Sequence, residues 1–385
     1  MPAAGSYCVK TSAGRFIFAG YSLSVLTVHE KYMYRCLELA QRGAGYTAPN
    51  PMVGAVLVHE DRIIGEGYHH VYGEAHAEVN CIASVKEEDK GLLSESTLYV
   101  SLEPCAHFGK TPPCADLVIQ SKIPECIIAC RDPFNEVNGK GIEKLINAGI
   151  KVQTNILEAE ARHLNRRFFT FHTKHRPYIM LKWAQTADGI IGTPLPDKNG
   201  KQQRLMISNE YSSRLVHQWR SEEASILVGT NTAIMDNPEL TNRWWKGNSP
   251  VRLVVDMDLS LPRSLKIFNG DHPTIIFNTL RHDEKSNPAY YQVATGSELV
   301  HQVCNALYQL KIQSVMVEGG ARLLQSFIDA GVWDEARVIS NRELFAAGHE
   351  VKGLPAPELS AARKANEINL LSDTIEYFVP LHENL

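Results

Sequence analysis

No apolar run in the sequence approaches the roughly 18–20 residues that a bilayer-spanning helix needs. Nor is there a surplus of positive charge. A net charge of −4 leaves no broad basic surface, which excludes a general nucleic-acid binder. Eight cysteines in 385 residues are too few for a disulfide scaffold. Tandem repeats and low-complexity tracts are absent as well. The N-terminal stretch FIFAGYSLSVL, behind Lys10 and Arg15, is broken by Gly, Tyr and Ser and has no small-x-small cleavage site. Residues 1–28 therefore read as a disordered leader rather than a secretion signal, and the chain as cytoplasmic.

With these classes set aside, 385 residues with 44% hydrophobic content describe a globular chain too long for one ordinary core. Two domains follow. From Val28 the pattern becomes regular. EKYMYRCLELAQRG has apolar residues at helical spacing and stops at Gly43. Strands at 53–59 and 62–67 form a hairpin around an acidic turn. HAEVNCIASVK reads as a helix, STLYVSLEPC as a strand running into a loop, and CADLVIQSK as a helix. ECIIACRD, GKGIEKLINAG and IKVQTNI continue as strand, helix and strand. This alternation predicts a three-layer α/β/α sandwich. The segment LEAEARHLNRRFFTFHTK closes it as one helix, giving a first domain over 29–173. A second α/β domain spans 174–385, with helices at 209–220, 299–310 and 321–330 and strands at 225–229, 251–256, 273–277 and 313–318. NGKGIEK imitates a dinucleotide fingerprint, but Lys144 stands where the third glycine belongs, so a glycine turn opening a helix explains it.

Six cysteines (Cys8, Cys36, Cys81, Cys126, Cys130 and Cys304) stand singly among apolar neighbours and read as small packing residues. Cys105 and Cys114 differ, because each follows a proline and both lie downstream of His76-Ala77-Glu78. Zinc takes N and S ligands in a tetrahedron, and a catalytic site leaves one position open for water. His76, Cys105 and Cys114 supply one imidazole and two thiolates, which neutralise the dication. Cys114 opens a helix, where N–H groups and the dipole favour a thiolate. Side chains two residues apart diverge by about 200° inside a helix, but at its first turn His76 can reach a metal while Glu78 flanks the attacking water. Glu78 is then the proton shuttle that removes an amino group from a pyrimidine.

This constellation resembles the zinc-dependent cytidine deaminase superfamily, with its H-x-E and P-C-x-x-C signature. Here eight residues separate the cysteines instead of two. With TAPNPMVGAV, GYHHVYGEAHAE and EPCAHFGKTPPC, the chain resembles the deaminase half of the bifunctional riboflavin-biosynthesis deaminase/reductases. KWAQTADG, HQWR, VGTNTAIMDNPELTNR, PVRLVVD and VEGG resemble their reductase half. The resemblance implies a cytidine-deaminase-like domain followed by a dihydrofolate-reductase-like one. It also implies zinc and NADPH as cofactors and a phosphorylated pyrimidine as substrate. That substrate is first deaminated and then reduced from ribosyl to ribityl. By position, Asn50 contacts the pyrimidine, and His69, His107 and Lys110 approach the ribose phosphate. Ala184, Thr232, Asp236, Gly319 and Gly320 contact NADPH; Arg220, Leu240, Arg243 and Glu318 hold the ribosyl phosphate. Gly319 and Gly320 also open a helix after a strand, a geometry that cradles phosphate. Lys201 and Arg204 are candidate partners of the NADPH 2′-phosphate. The family's Trp and Ser near this loop are Met206 and Arg204 here. A homodimer or tetramer is expected, without nucleic-acid or membrane partners. Two rivals are a nucleoside or tRNA deaminase with an unrelated tail, and a zinc-bearing module without catalysis. The eight-residue spacer and acidic charge oppose the first, and Glu78 opposes the second.

Overall fold

The computed structural model describes residues 7–10, 16–19, 26–106, 112–134, 138–192, 205–296, 298–346 and 353–381. His107, Lys110, Lys201 and Arg204 lie outside these residues. Two compact units emerge, Leu26–Pro177 and Tyr178–Leu385, with the N-terminal residues to Val25 grouped with the second. Inside the span read as a leader, β1 (Tyr7–Lys10) and β2 (Phe16–Ala19) pair antiparallel. Among the described residues, no helix is long and apolar enough to cross a membrane.

The first unit opens with α1 (Val28–Gln41). Its start is fixed by a capping box: Thr27 Oγ1 accepts the Glu30 N–H, and the Glu30 carboxylate accepts the Thr27 N–H at 2.8 Å. There follow β3 (Gly54–His59), β4 (Arg62–Tyr68), α2 (Ala77–Ala83), β5 (Thr97–Val100), α3 (Cys114–Gln120), β6 (Glu125–Ile128), α4 (Lys140–Asn147), β7 (Lys151–Gln153), α5 (Glu158–Leu164) and α6 (Arg166–Lys174). The sheet order is β4-β3-β5-β6-β7, antiparallel at its β4 side and parallel from β5 onward. Successive strand residues point to opposite faces. Leu57, Leu98, Cys126 and Ile128 pack under α2, α3 and α4. Val56, Tyr99 and Ile127 face α1, α5 and α6. This is the three-layer sandwich.

The single closing helix expected over 157–174 is instead two. The break falls at Asn165, whose side chain accepts the Met52 N–H and donates to the Met52 carbonyl, both at 2.8 Å. The buried Asn165 amide finds partners across the unit, and the helix yields there.

The second unit comprises β8 (Tyr178–Gln185), β9 (Ile190–Gly192), α7 (Glu210–Glu222), β10 (Ser225–Gly229), α8 (Thr230–Asp236), β11 (Val251–Val255), β12 (Thr274–Asn278) and β13 (Ala289–Gln292). It continues with α9 (Leu299–Gln309), β14 (Ser314–Gly319), α10 (Ala321–Asp329), β15 (Glu335–Asn341), β16 (Leu354–Pro355), β17 (Ala362–Leu370) and β18 (Asp373–Pro380). Nine strands run in the order β13-β12-β11-β10-β14-β8-β15-β18-β17, parallel up to β15 and antiparallel beyond it. A parallel sheet covered on both faces needs continuous apolar strands, and β10, β11 and β14 are of that kind. Leu227, Leu253 and Val317 pack with α9 and α10, whereas Ile226, Val254 and Met316 pack with α7 and α8.

Candidate active sites

In the first unit three elements deliver three ligands to one point. His76 is the N-cap of α2 in extended conformation, Cys105 lies in the loop after β5, and Cys114 begins α3. His76 Nδ1 stands 3.3 Å from Cys114 Sγ and 3.7 Å from Cys105 Sγ, and all three ligand atoms lie within 4.8 Å of one another. Zinc bonds of about 2.3 Å to sulfur and about 2.0 Å to nitrogen set tetrahedral N and S ligands roughly 3.5 Å apart. The observed separations bracket that distance, so the donor set and its spacing both fit zinc. The Cys114 N–H donates to Cys105 Sγ at 3.3 Å. The hydrogen bond with Cys114, aided by His76, holds the Cys105 thiol well below its ordinary range. The same bond and burial hold Cys114 far up.

Glu78 is buried beside them, 3% exposed. Burial first, and then the Cys105 charge, pushes its carboxyl up to about 7. A carboxyl poised there can take and return a proton near neutral pH. His69 and Asn50 join the cluster. His69 Nδ1 donates to the Ala75 carbonyl at 3.0 Å, so Nε2 is left to accept from the Asn50 amide at 3.1 Å. The His69 ring stands edge-on to His76, centroids 5.4 Å apart, and burial lowers its pKa. Four of the residues singled out in the sequence thus surround the two cysteines.

The loop's other anchors were missed. Glu103, within the EPC run, is buried and accepts four backbone N–H bonds. Asp132 is buried nearby, its carboxyl raised to about 7 by burial, with Glu103 and Cys105 adding to the rise. A lone acid in a loop carries no periodic signal, so only the fold reveals either.

In the second unit the carboxyl ends of adjacent parallel strands β10, β14 and β8 form one rim. The register sets Val228 against Gly319 and Val317 against Leu181, so Gly229, Glu318, Gly319 and Ala184 line it. Such a rim is where open α/β sheets bind ligands. Gly320, with φ +46°, turns the chain into α10. A Cβ on Gly319 would meet Thr232 Cγ2 at 3.1 Å, so α8 and the Gly-Gly turn lie against each other. Asp236 is exposed at the far end of α8, one turn beyond Thr232.

Arg220 and Glu318 form a bidentate pair at 3.0 and 2.7 Å. Burial alone would raise the Glu318 carboxyl, but Arg220 and Lys182 outweigh it and hold it at about 2. Arg220 Nη1 also donates to the Thr241 carbonyl at 3.2 Å, tying α7 to the loop that carries Leu240 and Arg243. Leu240 is buried with φ +57°, a backbone region that side chains seldom adopt. Arg243 Nη1 donates to Glu239 and Thr241 at 2.8 and 3.0 Å. His217, also missed, accepts the Arg243 N–H through Nδ1 at 2.9 Å and lies against the Trp244 ring. Burial, with Arg220 and Arg243, lowers its pKa to about 4. A single His in a helix gave no sign of this.

Known proteins resemble both halves. Residues 26–130 match the cytidine and deoxycytidylate deaminase zinc-binding region, and residues 177–344 match the RibD C-terminal domain. Riboflavin biosynthesis protein RibD of Aquifex aeolicus is 39% identical over 360 residues, spanning 91% of this chain and 98% of its own. RibD of Escherichia coli is 32% identical over 345 residues, 84% of this chain and 90% of its own. A crystal structure from Thermotoga maritima bears the name diaminohydroxyphosphoribosylaminopyrimidine deaminase/5-amino-6-(5-phosphoribosylamino)uracil reductase. It gives a TM-score of 0.79 at 34% identity, covering 92% of this chain and 99% of that one. Acinetobacter baumannii RibD gives 0.80 at 28% identity, covering 93% and 100%.

Proposed function

The chain belongs to the RibD family of riboflavin biosynthesis proteins, and on that premise we propose that it carries out two consecutive steps on one phosphorylated pyrimidine. The unit Leu26–Pro177 hydrolyses an amino group from the diaminopyrimidine, releasing ammonia. The unit from Tyr178 onward reduces the ribosyl chain of the product to ribityl with NADPH. The observation that carries the reading is the meeting of His76 Nδ1 and two cysteine sulfurs at zinc-ligand spacing, beside a buried carboxyl.

His76, Cys105 and Cys114 would hold the zinc, which would supply the acidity that makes water nucleophilic at neutral pH. Glu78 takes the proton from the attacking water and passes it to the departing amine, so the C–N bond breaks with ammonia as leaving group. Asn50, oriented by the Nδ1-protonated His69, donates to or accepts from the ring. His107 and Lys110 complete the proposal as contacts of the ribose phosphate.

NADPH supplies the hydride in the second step. Ala184, Thr232, Asp236, Gly319 and Gly320 would bind it, the Gly-Gly turn at the start of α10 being a backbone geometry suited to phosphate. Arg220, Leu240, Arg243 and Glu318 would hold the substrate's ribosyl phosphate chain. Positioning is the protein's main task there.

Cys36, Cys81, Cys105, Cys114, Cys126, Cys130 and Cys304 form no disulfide, in keeping with a reducing cytoplasm. Cytoplasmic residence and a homodimer or tetramer complete the proposal, the latter checked by sedimentation equilibrium. Purified protein is incubated with the diaminopyrimidine ribosylamine phosphate, with and without NADPH, and ammonia and NADPH oxidation are followed separately. Ammonia without NADPH, then oxidation once NADPH is added, is the expected result. Failure to release ammonia with zinc present overturns the deaminase reading.

A further inference from the structure

Cys105 does not sit on a helix or strand. It hangs on the segment Glu103–Pro104–Cys105, which leaves β5 without regular structure. A metal ligand must be held to within about 0.5 Å, and loops hold less well than strands or helices. Something else must fix this segment.

Two independent contacts do so. The buried Glu103 carboxylate accepts N–H bonds at Oε2 from Asp132 (3.3 Å) and Gly139 (3.0 Å), and at Oε1 from Gly141 (2.9 Å) and Ile142 (3.2 Å). Gly139 is the N-cap of α4, and Gly141 and Ile142 are in its first turn, where N–H groups lack partners within the helix. The second contact is steric. A Cβ on Gly141 would stand 1.9 Å from the Pro104 carbonyl oxygen, so the first turn of α4 lies directly on the peptide that enters Cys105.

We propose that Glu103 is a positioning residue of the metal centre: its carboxylate, held by three backbone N–H groups at the start of α4 and by that of Asp132, fixes the Pro104–Cys105 peptide and so the place of the Cys105 sulfur. The proposal rests on the zinc reading above. The glutamine variant tests it, because Gln offers one acceptor oxygen and turns an NH₂ toward N–H groups that need an acceptor.

Full-length Glu103→Gln and Gly141→Ala proteins are stripped of metal and reloaded with zinc or cobalt(II). Zinc affinity is measured by competition with a chromophoric chelator, and ligand geometry by the cobalt d–d and thiolate-to-cobalt absorption. NADPH oxidation on deaminated substrate reports the integrity of the other unit. Zinc affinity is expected to fall 10- to 100-fold, with altered cobalt bands and unchanged NADPH oxidation. Gly141→Ala, whose Cβ pushes on the same peptide from the first turn of α4, moves both readouts in the same direction and serves if Glu103→Gln does not fold. Wild-type affinity and bands in a folded variant overturn the proposal, even if that variant melts at a lower temperature. A wild-type protein that binds neither metal overturns the zinc reading itself.

Discussion

The two sites use similar scaffolds, a central sheet with helices on both faces, but different means. In the first unit the reactive atoms are side chains: an imidazole and a carboxyl from the start of α2, and two sulfurs, one from the loop after β5 and one from the start of α3. In the second, the rim at the ends of β10, β14 and β8 offers mainly backbone, a Gly-Gly turn and one largely buried ion pair. The difference follows from the reactions. Hydrolysis needs a metal, a nucleophile and a proton carrier, so particular side chains must be present. Hydride transfer needs two molecules held face to face, and shape does most of that.

If the comparison holds, changes to the first site cost chemistry and changes to the second cost binding or stability. The largest effect is expected from Glu78→Gln. Losing a general acid–base slows ammonia release by about 10²- to 10⁴-fold, while reduction of already deaminated substrate stays at the wild-type rate. Equal losses in both assays would break the distinction.

Next is Glu318→Ala, which leaves the nearly buried Arg220 guanidinium without its carboxylate. Removing one partner of such a pair destabilises by about 3–5 kcal/mol, read as an earlier chemical unfolding transition of the reductase unit. Acid probes the same pair. The Glu318 carboxyl is held at about 2, below its ordinary value of 4.5. Its stabilising contribution is therefore complete above the unfolded value and is lost as pH falls from there toward 2. Glu318→Gln removes that part of the acid dependence of unfolding, and an unchanged profile would refute the assignment.

Gly320→Ala has a smaller effect. Its φ of +46° is costly for any residue with a Cβ, by about 1–3 kcal/mol. NADPH binding, followed by fluorescence titration, weakens by roughly tenfold or more while ammonia release is unaffected. The smallest contrast is at His217. Asn can place an acceptor near the position of Nδ1 and keep the Arg243 N–H satisfied; Gln places its oxygen farther out. One hydrogen bond is worth about 0.5–1.5 kcal/mol. The reductase KM for its pyrimidine substrate should therefore rise roughly two- to tenfold more in His217→Gln than in His217→Asn.

The same contrast governs what could be read from the chain. H-x-E with two Pro-Cys pairs is legible because the chemistry demands those residue types, and the fold brings His76, Glu78, Cys105 and Cys114 together. Glu103 was not legible, since its partners are backbone N–H groups 29 to 39 residues away. The parallel strands announce themselves by apolar runs. The last strands do not: ARKANEINL of β17 lies at a sheet edge, largely polar and partly exposed, with no clean alternation to detect. Helix α8 buries only Ala233 and has no apolar stripe. The break at Asn165 depends on Met52, 113 residues earlier, which no local pattern contains.

That last contact bears on where the first unit can be cut. The deaminase resemblance ends at residue 130, yet Asn165 closes on Met52, and Phe168 and Phe169 fill the face beneath α1. A fragment stopped near 130 would lose both rings, expose the face of α1 and the sheet that they cover, and leave the Met52 N–H and carbonyl without their Asn165 partner. The shortest piece able to stand by itself therefore runs through α6.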